Sequence, residues 1–129
     1  MIRSALRALV AAEGDLEVVG EADGGRAAAG MARALSPGVV VMDLSMPDVD
    51  GVDATREVVA ACPAARVIAF SAHLDRKLLD DVFAAGAAGY VLKDIAHEEL
   101  VAAIRAVAAG EVYLSPRVTR ELGEPHQRA

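Results

Sequence analysis

Apolar residues along the chain form two patterns, short continuous runs and longer stretches with helical spacing. The clearest continuous run is Val39–Met42, which is mostly β-branched and has no polar alternation. Such a run is typical of a strand that is buried on both faces of a parallel sheet. Asp43 follows the run directly, and the turn-forming residues Pro47 and Gly51 lie beyond it. The pattern therefore predicts a buried strand that ends on a carboxylate and leaves the sheet through a loop.

The rest of the chain alternates between the same two patterns. Further short apolar segments predict strands at Leu16–Ala22, Arg66–Ser71 and Gly89–Lys93. Apolar residues at helical spacing predict helices at residues 2–10, Arg26–Leu35, Val52–Cys62, Asp75–Ala85 and His97–Ala109. Strands that alternate with helices of this length indicate βαβ crossovers, and so a parallel sheet with helices on both faces.

The periodic pattern ends at Gly110. Pro116 and Pro125 interrupt the remaining sequence, which predicts a brief ordered turn followed by fraying. The 129 residues have the length of a single domain. We therefore divide the chain into one domain over residues 1–116 and a C-terminal tail over residues 117–129.

Composition and charge narrow the class of protein. Hydrophobic residues make up 54% of the chain but aromatic residues only 3%, so the core must consist of Ala, Val, Leu and Ile. The net charge of −6 disfavours direct nucleic-acid binding, which needs a basic face. A single cysteine, Cys62, excludes an internal disulfide and suits a reducing compartment. No apolar run has the length of a membrane span, and no signal peptide is indicated, so we expect a cytoplasmic protein.

Three of the predicted strands end on polar or charged residues, Asp43, Ser71 and Lys93. Taken singly, each is more often a capping, turn or surface residue. In a parallel sheet, however, the carboxyl ends of neighbouring strands lie on one edge, about 4.8 Å apart. The three side chains together suit covalent phosphoryl transfer, with Asp43 as the nucleophile and Lys93 as a point charge on the phosphoryl oxygens. Ser71 would donate a hydrogen bond, and Mg²⁺ usually shares such a site.

Five segments of the chain carry a family resemblance: EVVGEADGG, VVVMDLSMPDVDGVDATR, VIAFSAH, AAGAAGYVLKD and LVAAIRAVAAGEVYLSP. Through them, from Ile2 to about Pro116, the chain resembles the receiver domain of bacterial two-component response regulators. It is most similar to the branch whose receivers precede a LuxR/NarL-type helix-turn-helix. The resemblance implies the flavodoxin-like (CheY-like), doubly wound α/β fold with strand order 2-1-3-4-5.

The resemblance also implies roles for individual residues. Asp43 corresponds to the phosphoacceptor and a Mg²⁺ ligand, and Ser45 would contribute its backbone carbonyl to the metal. Ser71 and Lys93 would contact the phosphoryl group, and Ser71 would also act as the switching hydroxyl. Tyr90 falls at the family's switch aromatic, which we expect to turn inward on phosphorylation. The implied partners are a sensor histidine kinase and a second copy of the chain.

One departure from the family pattern concerns the metal. Receivers begin with an apolar strand that ends in a pair of acids, whereas this sequence opens inside a helix, so that strand and its acidic pair are absent. Asp23 is the only substitute candidate, and a weak one. We expect the strands around Val18 and Val40 to pair directly, or a partner chain to supply a strand in an intertwined dimer. A third option is that the natural start lies upstream.

Three functions remain open from the sequence. The first is a phosphorylation-controlled signalling domain that is not an enzyme. The second is a pseudo-receiver that acts as a dimerisation or interaction module without phosphorylation. The absent acidic pair motivates it, because Mg²⁺ affinity depends on carboxylate charge. The third is a small phosphatase with Asp43 as nucleophile. We rank it last because the sequence offers no convincing general acid.

Overall fold

A computed structural model of the protein describes Gly14 and residues 25–44, 50–94 and 97–123. The helix predicted at residues 2–10 and the strand predicted at Leu16–Ala22 lie outside the described residues. The same holds for the expected pairing of the strands around Val18 and Val40. Asp23 and Ser45 also lie outside them.

The described strands form one parallel sheet. They are β1 (Val39–Asp43), β2 (Arg66–Ser71), β3 (Gly89–Leu92) and β4 (Tyr113–Leu114). The sheet has four strands in the order β1-β2-β3-β4, and each neighbouring pair is parallel. The first three are the strands predicted from continuous apolar runs, and they lie side by side as the family order requires. The predicted parallel α/β fold is thereby confirmed.

Five described helices precede, connect and follow the strands. They are α1 (Gly25–Leu35), α2 (Gly51–Ala61), α3 (Arg76–Ala84), α4 (His97–Ala108) and α5 (Pro116–Leu122). The bounds of α1–α4 agree with the predicted helices to within about one residue, because their ends carry local signals. Asp50 accepts hydrogen bonds from the backbone of Val52 and Asp53 at the start of α2, and Asp75 accepts one from Leu78 at the start of α3. None of the described helices is long and apolar enough to cross a membrane.

The two faces of the sheet are covered by different helices, as a period of two along the strands requires. On one face, Ile68, Phe70 and Val91 pack against buried residues of α4. On the other face, Ala69, Tyr90 and Leu92 pack against α3 and α5. A third cluster joins α1 and α2 to β1 and β2 through Ala32, Met42, Ala54, Val58 and Val67.

The C-terminal part of the chain differs from the prediction of a brief turn and fraying, which is wrong for residues 113–122. Tyr113 and Leu114 pair with Gly89 and Tyr90 of β3, and α5 follows at once. Two residues are too few to show a strand period, and α5 is shorter than a helix that periodicity can identify. Pro116 begins this helix, since proline is well suited to the first helical turn. The domain boundary near residue 116 stays a prediction.

Tyr113 makes the stability of the fold sensitive to alkaline pH. Its hydroxyl donates a hydrogen bond to Glu99 Oε1 on α4 at 3.1 Å. Burial, followed by the hydrogen bond and negative charge of Glu99, raises the pKa of Tyr113 from 10.0 to about 12. The folded protein holds this proton more tightly than the unfolded chain, so the stabilisation is complete below about pH 10 and is lost as the pH rises through 12. We expect the urea midpoint to fall over that range.

Tyr113→Phe is the control for this prediction, because it removes the ionisable hydroxyl and keeps the ring. The variant should lose less stability between pH 10 and 12 than the native protein. Burial also raises the pKa of Tyr90, the other of the two tyrosines, so some decline will remain. An unchanged pH profile in Tyr113→Phe would contradict the assignment, and tyrosinate absorbance would report each ionisation directly.

Candidate functional site

Asp43 and Lys93 meet at the carboxyl edge of the sheet. Lys93 Nζ lies 2.7 Å from Asp43 Oδ1, and the two side chains are 15% and 26% exposed. The residues are fifty positions apart in sequence, and they belong to the ends of β1 and β3. The structure thus brings together two of the three side chains that the strand ends were expected to gather.

The end of β2 separates these two residues and sets their distance. Leu44 N–H donates to Phe70 O at 2.9 Å on one side, and Lys93 N–H donates to Ser71 O at 2.8 Å on the other. The hydrogen bonding between the parallel strands therefore continues one residue beyond Asp43 and beyond Leu92. It holds the chain on both sides of β2 against Phe70 and Ser71. Lys93 must reach across one strand to contact Asp43.

Phe70 supports the lysine on this path. Lys93 Nζ lies 5.7 Å from the centroid of the Phe70 ring, within the range of a cation–π contact. Sequence analysis missed this residue, and the sequence signal for it is only that it immediately precedes Ser71, because its register with Asp43 is set by the sheet.

Ser71, the third predicted site residue, is 1% exposed and is bonded to the loop that follows β2. Its Oγ accepts a hydrogen bond from His73 N–H at 3.0 Å and donates one to His73 O at 3.2 Å. The second distance is long for a hydroxyl donor, whose bonds usually measure 2.5–3.0 Å. The hydroxyl is therefore held by a good acceptor bond and a weak donor bond.

Tyr90 lies inside the protein, with no exposed surface. Its hydroxyl donates to His73 O at 2.7 Å, so the same carbonyl accepts from both Tyr90 and Ser71. Burial is the main cause that raises the pKa of Tyr90, the negative charge of Asp75 adds to it, and the Ser71 hydrogen bond opposes it. The sequence predicted a tyrosine that turns inward. In this structure the ring is already inward.

His73 has a role that sequence analysis did not identify. Its backbone carbonyl links Ser71 and Tyr90. A backbone acceptor is independent of side-chain identity, so no residue pattern could have revealed it.

The described residues do not fit a Mg²⁺ site on their own. Within residues 25–44, 50–94 and 97–123, no group of three or more His, Cys, Asp or Glu side chains could hold a metal ion. Asp43 is bonded to Lys93, and the Ser45 carbonyl lies outside the described residues. The site as described is a carboxylate next to a cation, which suits attack on a phosphorus atom and neutralisation of the oxygens it carries.

Comparison with known proteins places the chain in a family. The family model "Response regulator receiver domain" matches residues 1–105. The chain is 34% identical over 128 residues to the transcriptional regulatory protein DegU of Brevibacillus brevis, covering 99% of this chain and 54% of that protein. It is 37% identical over 122 residues to the response regulator GacA of Pseudomonas viridiflava, covering 95% of this chain and 57% of GacA. The chain thus spans a little over half the length of these relatives.

Solved structures agree with the sequence matches. A LuxR-family two-component response regulator from Aurantimonas sp. SI85-9A1 superposes with a TM-score of 0.88 at 36% identity, covering 94% of this chain and 86% of that one. The signal receiver domain of the response regulator NarL from Mycobacterium tuberculosis superposes with a TM-score of 0.78 at 34% identity, covering 84% and 88% of the two chains. These matches confirm the resemblance, and the chain belongs to the family of response regulator receiver domains, in its LuxR/NarL-type branch.

Proposed function

We propose that the protein accepts a phosphoryl group on Asp43 and that the modified site changes its interactions with other proteins. Receiver domains are the signalling modules of two-component systems, and phosphorylation-based signalling fits this chain. The observation that carries the proposal for Asp43 is the 2.7 Å contact between its carboxylate and Lys93 Nζ at the sheet edge.

The proposed reaction follows from that contact. An oxygen of Asp43 attacks the phosphorus of a phosphohistidine, a P–O bond forms, and the P–N bond breaks. The electron pair of the broken bond goes to the imidazole nitrogen, which takes a proton from solvent. Lys93 lies next to the attacking carboxylate and neutralises charge on the phosphoryl oxygens.

Ser71 and Tyr90 would transmit the change. A phosphoryl oxygen is a charged acceptor and binds a hydroxyl more strongly than a backbone carbonyl does. Ser71 would exchange its long bond to His73 O for the phosphoryl group, and Tyr90 would keep its shorter bond to the same carbonyl. The inward orientation of Tyr90 is therefore the one that phosphorylation selects.

The partners follow from the same scheme. Receiver domains interact with sensor histidine kinases, and for this chain we propose such a kinase, in the cytoplasm, as the phosphoryl donor. We further propose a homodimer that docks on the side of the protein formed by α3, β3 and the α5 helix that covers them, because the core of that side contains Tyr90. An intertwined dimer is one form it could take.

The alternative is an interaction module that works without phosphorylation. It is favoured by the lack of a metal-binding cluster among the described residues, since Mg²⁺ assists phosphorylation in receivers. Such a module would dimerise equally well in the native protein and in Asp43→Asn. The comparisons do not support it better than the signalling function.

The first prediction concerns phosphorylation of Asp43. Incubation with acetyl phosphate and Mg²⁺ should add one phosphoryl group, detectable by intact-protein mass spectrometry and labile to hydroxylamine. Asp43→Asn should abolish the addition because an amide cannot form an acyl phosphate. The matched control is Asp53→Asn, an exposed carboxylate on α2 that also forms a 2.7 Å ion pair, with Arg56. Equal labelling of Asp43→Asn and the native protein would refute the proposal, and repeating the reaction with EDTA tests the need for Mg²⁺.

The second prediction concerns Lys93. Lys93→Met keeps an apolar stem over Phe70 but removes the charge, so the rate of phosphorylation should fall by roughly 10²-fold. Lys93→Arg should restore part of the rate because it returns a cation. The control is Lys77→Met, which removes a lysine from an exposed 2.7 Å ion pair with Asp81 on α3. A Lys93→Met rate equal to that of Lys77→Met would exclude an electrostatic role for Lys93.

A further inference from the structure

We propose that residues 113–122, here called the C-terminal segment, are a built-in ligand of the α3–β3 face, and that their docking and the phosphorylation of Asp43 strengthen each other. The proposal rests on the proposed function of Asp43. It goes further by assigning the surface around Tyr90 to the C-terminal segment of the same chain.

Apolar burial holds the C-terminal segment on this face. Val118 of α5 has no exposed surface and belongs to the same cluster as Tyr90 and Leu92 of β3 and Leu79 of α3. Leu114 and Leu122, at the two ends of the segment, pack against that cluster. A helix of seven residues has little stability of its own, so it is this contact that keeps α5 formed.

Hydrogen bonds of Ser115 fix the position of the C-terminal segment along β3. Its N–H donates to Tyr90 O at 3.0 Å, and its Oγ accepts from Leu92 N–H at 3.1 Å. Serine at the start of a helix normally uses its hydroxyl to cap that helix, but Ser115 makes no such bond to α5. The hydroxyl instead accepts from Leu92 N–H, on the edge of β3 that does not pair with β2.

Polar contacts join the two ends of α5 to Asp94 and to α3. Arg117 Nη1 lies 3.5 Å from Asp94 Oδ2, and Asp94 directly follows Lys93 of the site. At the other end, Arg76 of α3 donates to the backbone carbonyl of Leu122 and also pairs with Asp80 at 3.2 Å. The segment therefore touches the chain next to the phosphorylation site as well as the first turn of α3.

Tyr90 couples the docked segment to the site. Its ring packs in the cluster that contains Val118, its carbonyl accepts from Ser115, and its hydroxyl shares the His73 carbonyl with Ser71. Rotation of the ring out of the core would remove a large side chain from the cluster that contains Val118. The docked segment and the phosphorylated site thus favour the same inward orientation of Tyr90, and such a coupling must be reciprocal.

Hydrogen exchange of the native 129-residue chain tests the coupling in one direction. Beryllofluoride with Mg²⁺, a mimic of the phosphoryl group, should slow amide exchange in residues 113–122 by about fivefold or more. The slowing should be the same at protein concentrations where light scattering shows a monomer. Unchanged or faster exchange overturns the proposal, as does slowing that appears only on dimerisation.

Beryllofluoride affinity tests the coupling in the other direction. Val118→Ala loosens the segment and should weaken binding by about fivefold. The matched control is Val58→Ala, an equally buried helical valine on α2, in the third cluster, whose members include neither Phe70 nor Tyr90 nor a residue of the C-terminal segment. Equal affinities of the two variants overturn the coupling. If Val118→Ala does not fold, Ser115→Ala replaces it, with the same control.

These measurements separate the two proposals. A native protein that binds no beryllofluoride overturns the phosphoacceptor function, and this proposal with it. Asp43-dependent binding without any response of residues 113–122 leaves that function standing and overturns only the coupling.

Discussion

An ion pair that spans a strand organises the functional edge of this protein. Strands of a sheet lie about 4.8 Å apart, so two strands with one between them are separated by roughly 10 Å. Lys93 Nζ nevertheless lies 2.7 Å from Asp43 and 5.7 Å from the centroid of the Phe70 ring. The contact requires that the carboxyl ends of β1 and β3 lie at the same height of the sheet. The uninterrupted parallel pairing of β1, β2 and β3 aligns them in this way. The site therefore depends on the sheet as a whole.

The end of β2 serves both faces of the sheet because successive side chains point to opposite faces. Phe70 belongs to the cluster under α4 and lies near Lys93. Ser71, the next residue, is bonded to His73, whose carbonyl also holds the Tyr90 hydroxyl on the face of α3 and α5. Two consecutive residues of β2 therefore contact the ion pair on one side and the hydrogen bonds of Tyr90 on the other, which is the route that the proposed function requires.

Much of the fold was predictable because its signals are local. Three continuous apolar runs predicted β1, β2 and β3, and helical spacing predicted α1–α4. The helix ends also carry local signals, since Asp50 and Asp75 cap the starts of α2 and α3 and Gly86, with a φ of 114°, follows α3. The strand β4 and the helix α5 were not predictable. They form because β3 offers an edge for pairing and because Val118 finds an apolar surface, and neither is a property of residues 113–122 alone.

The sequence by itself determined which residues stand at the strand ends, since continuous apolar runs stop at Asp43, Ser71 and Lys93. The tertiary structure decided which of them touch. Strand order and register arise from packing between distant segments. They bring Lys93 into an ion pair with Asp43, whereas Ser71 hydrogen-bonds to the backbone of His73. The same packing turned Tyr90 inward beneath the C-terminal segment. Local pattern specifies where an element ends, but only the assembled sheet specifies what lies beside that end.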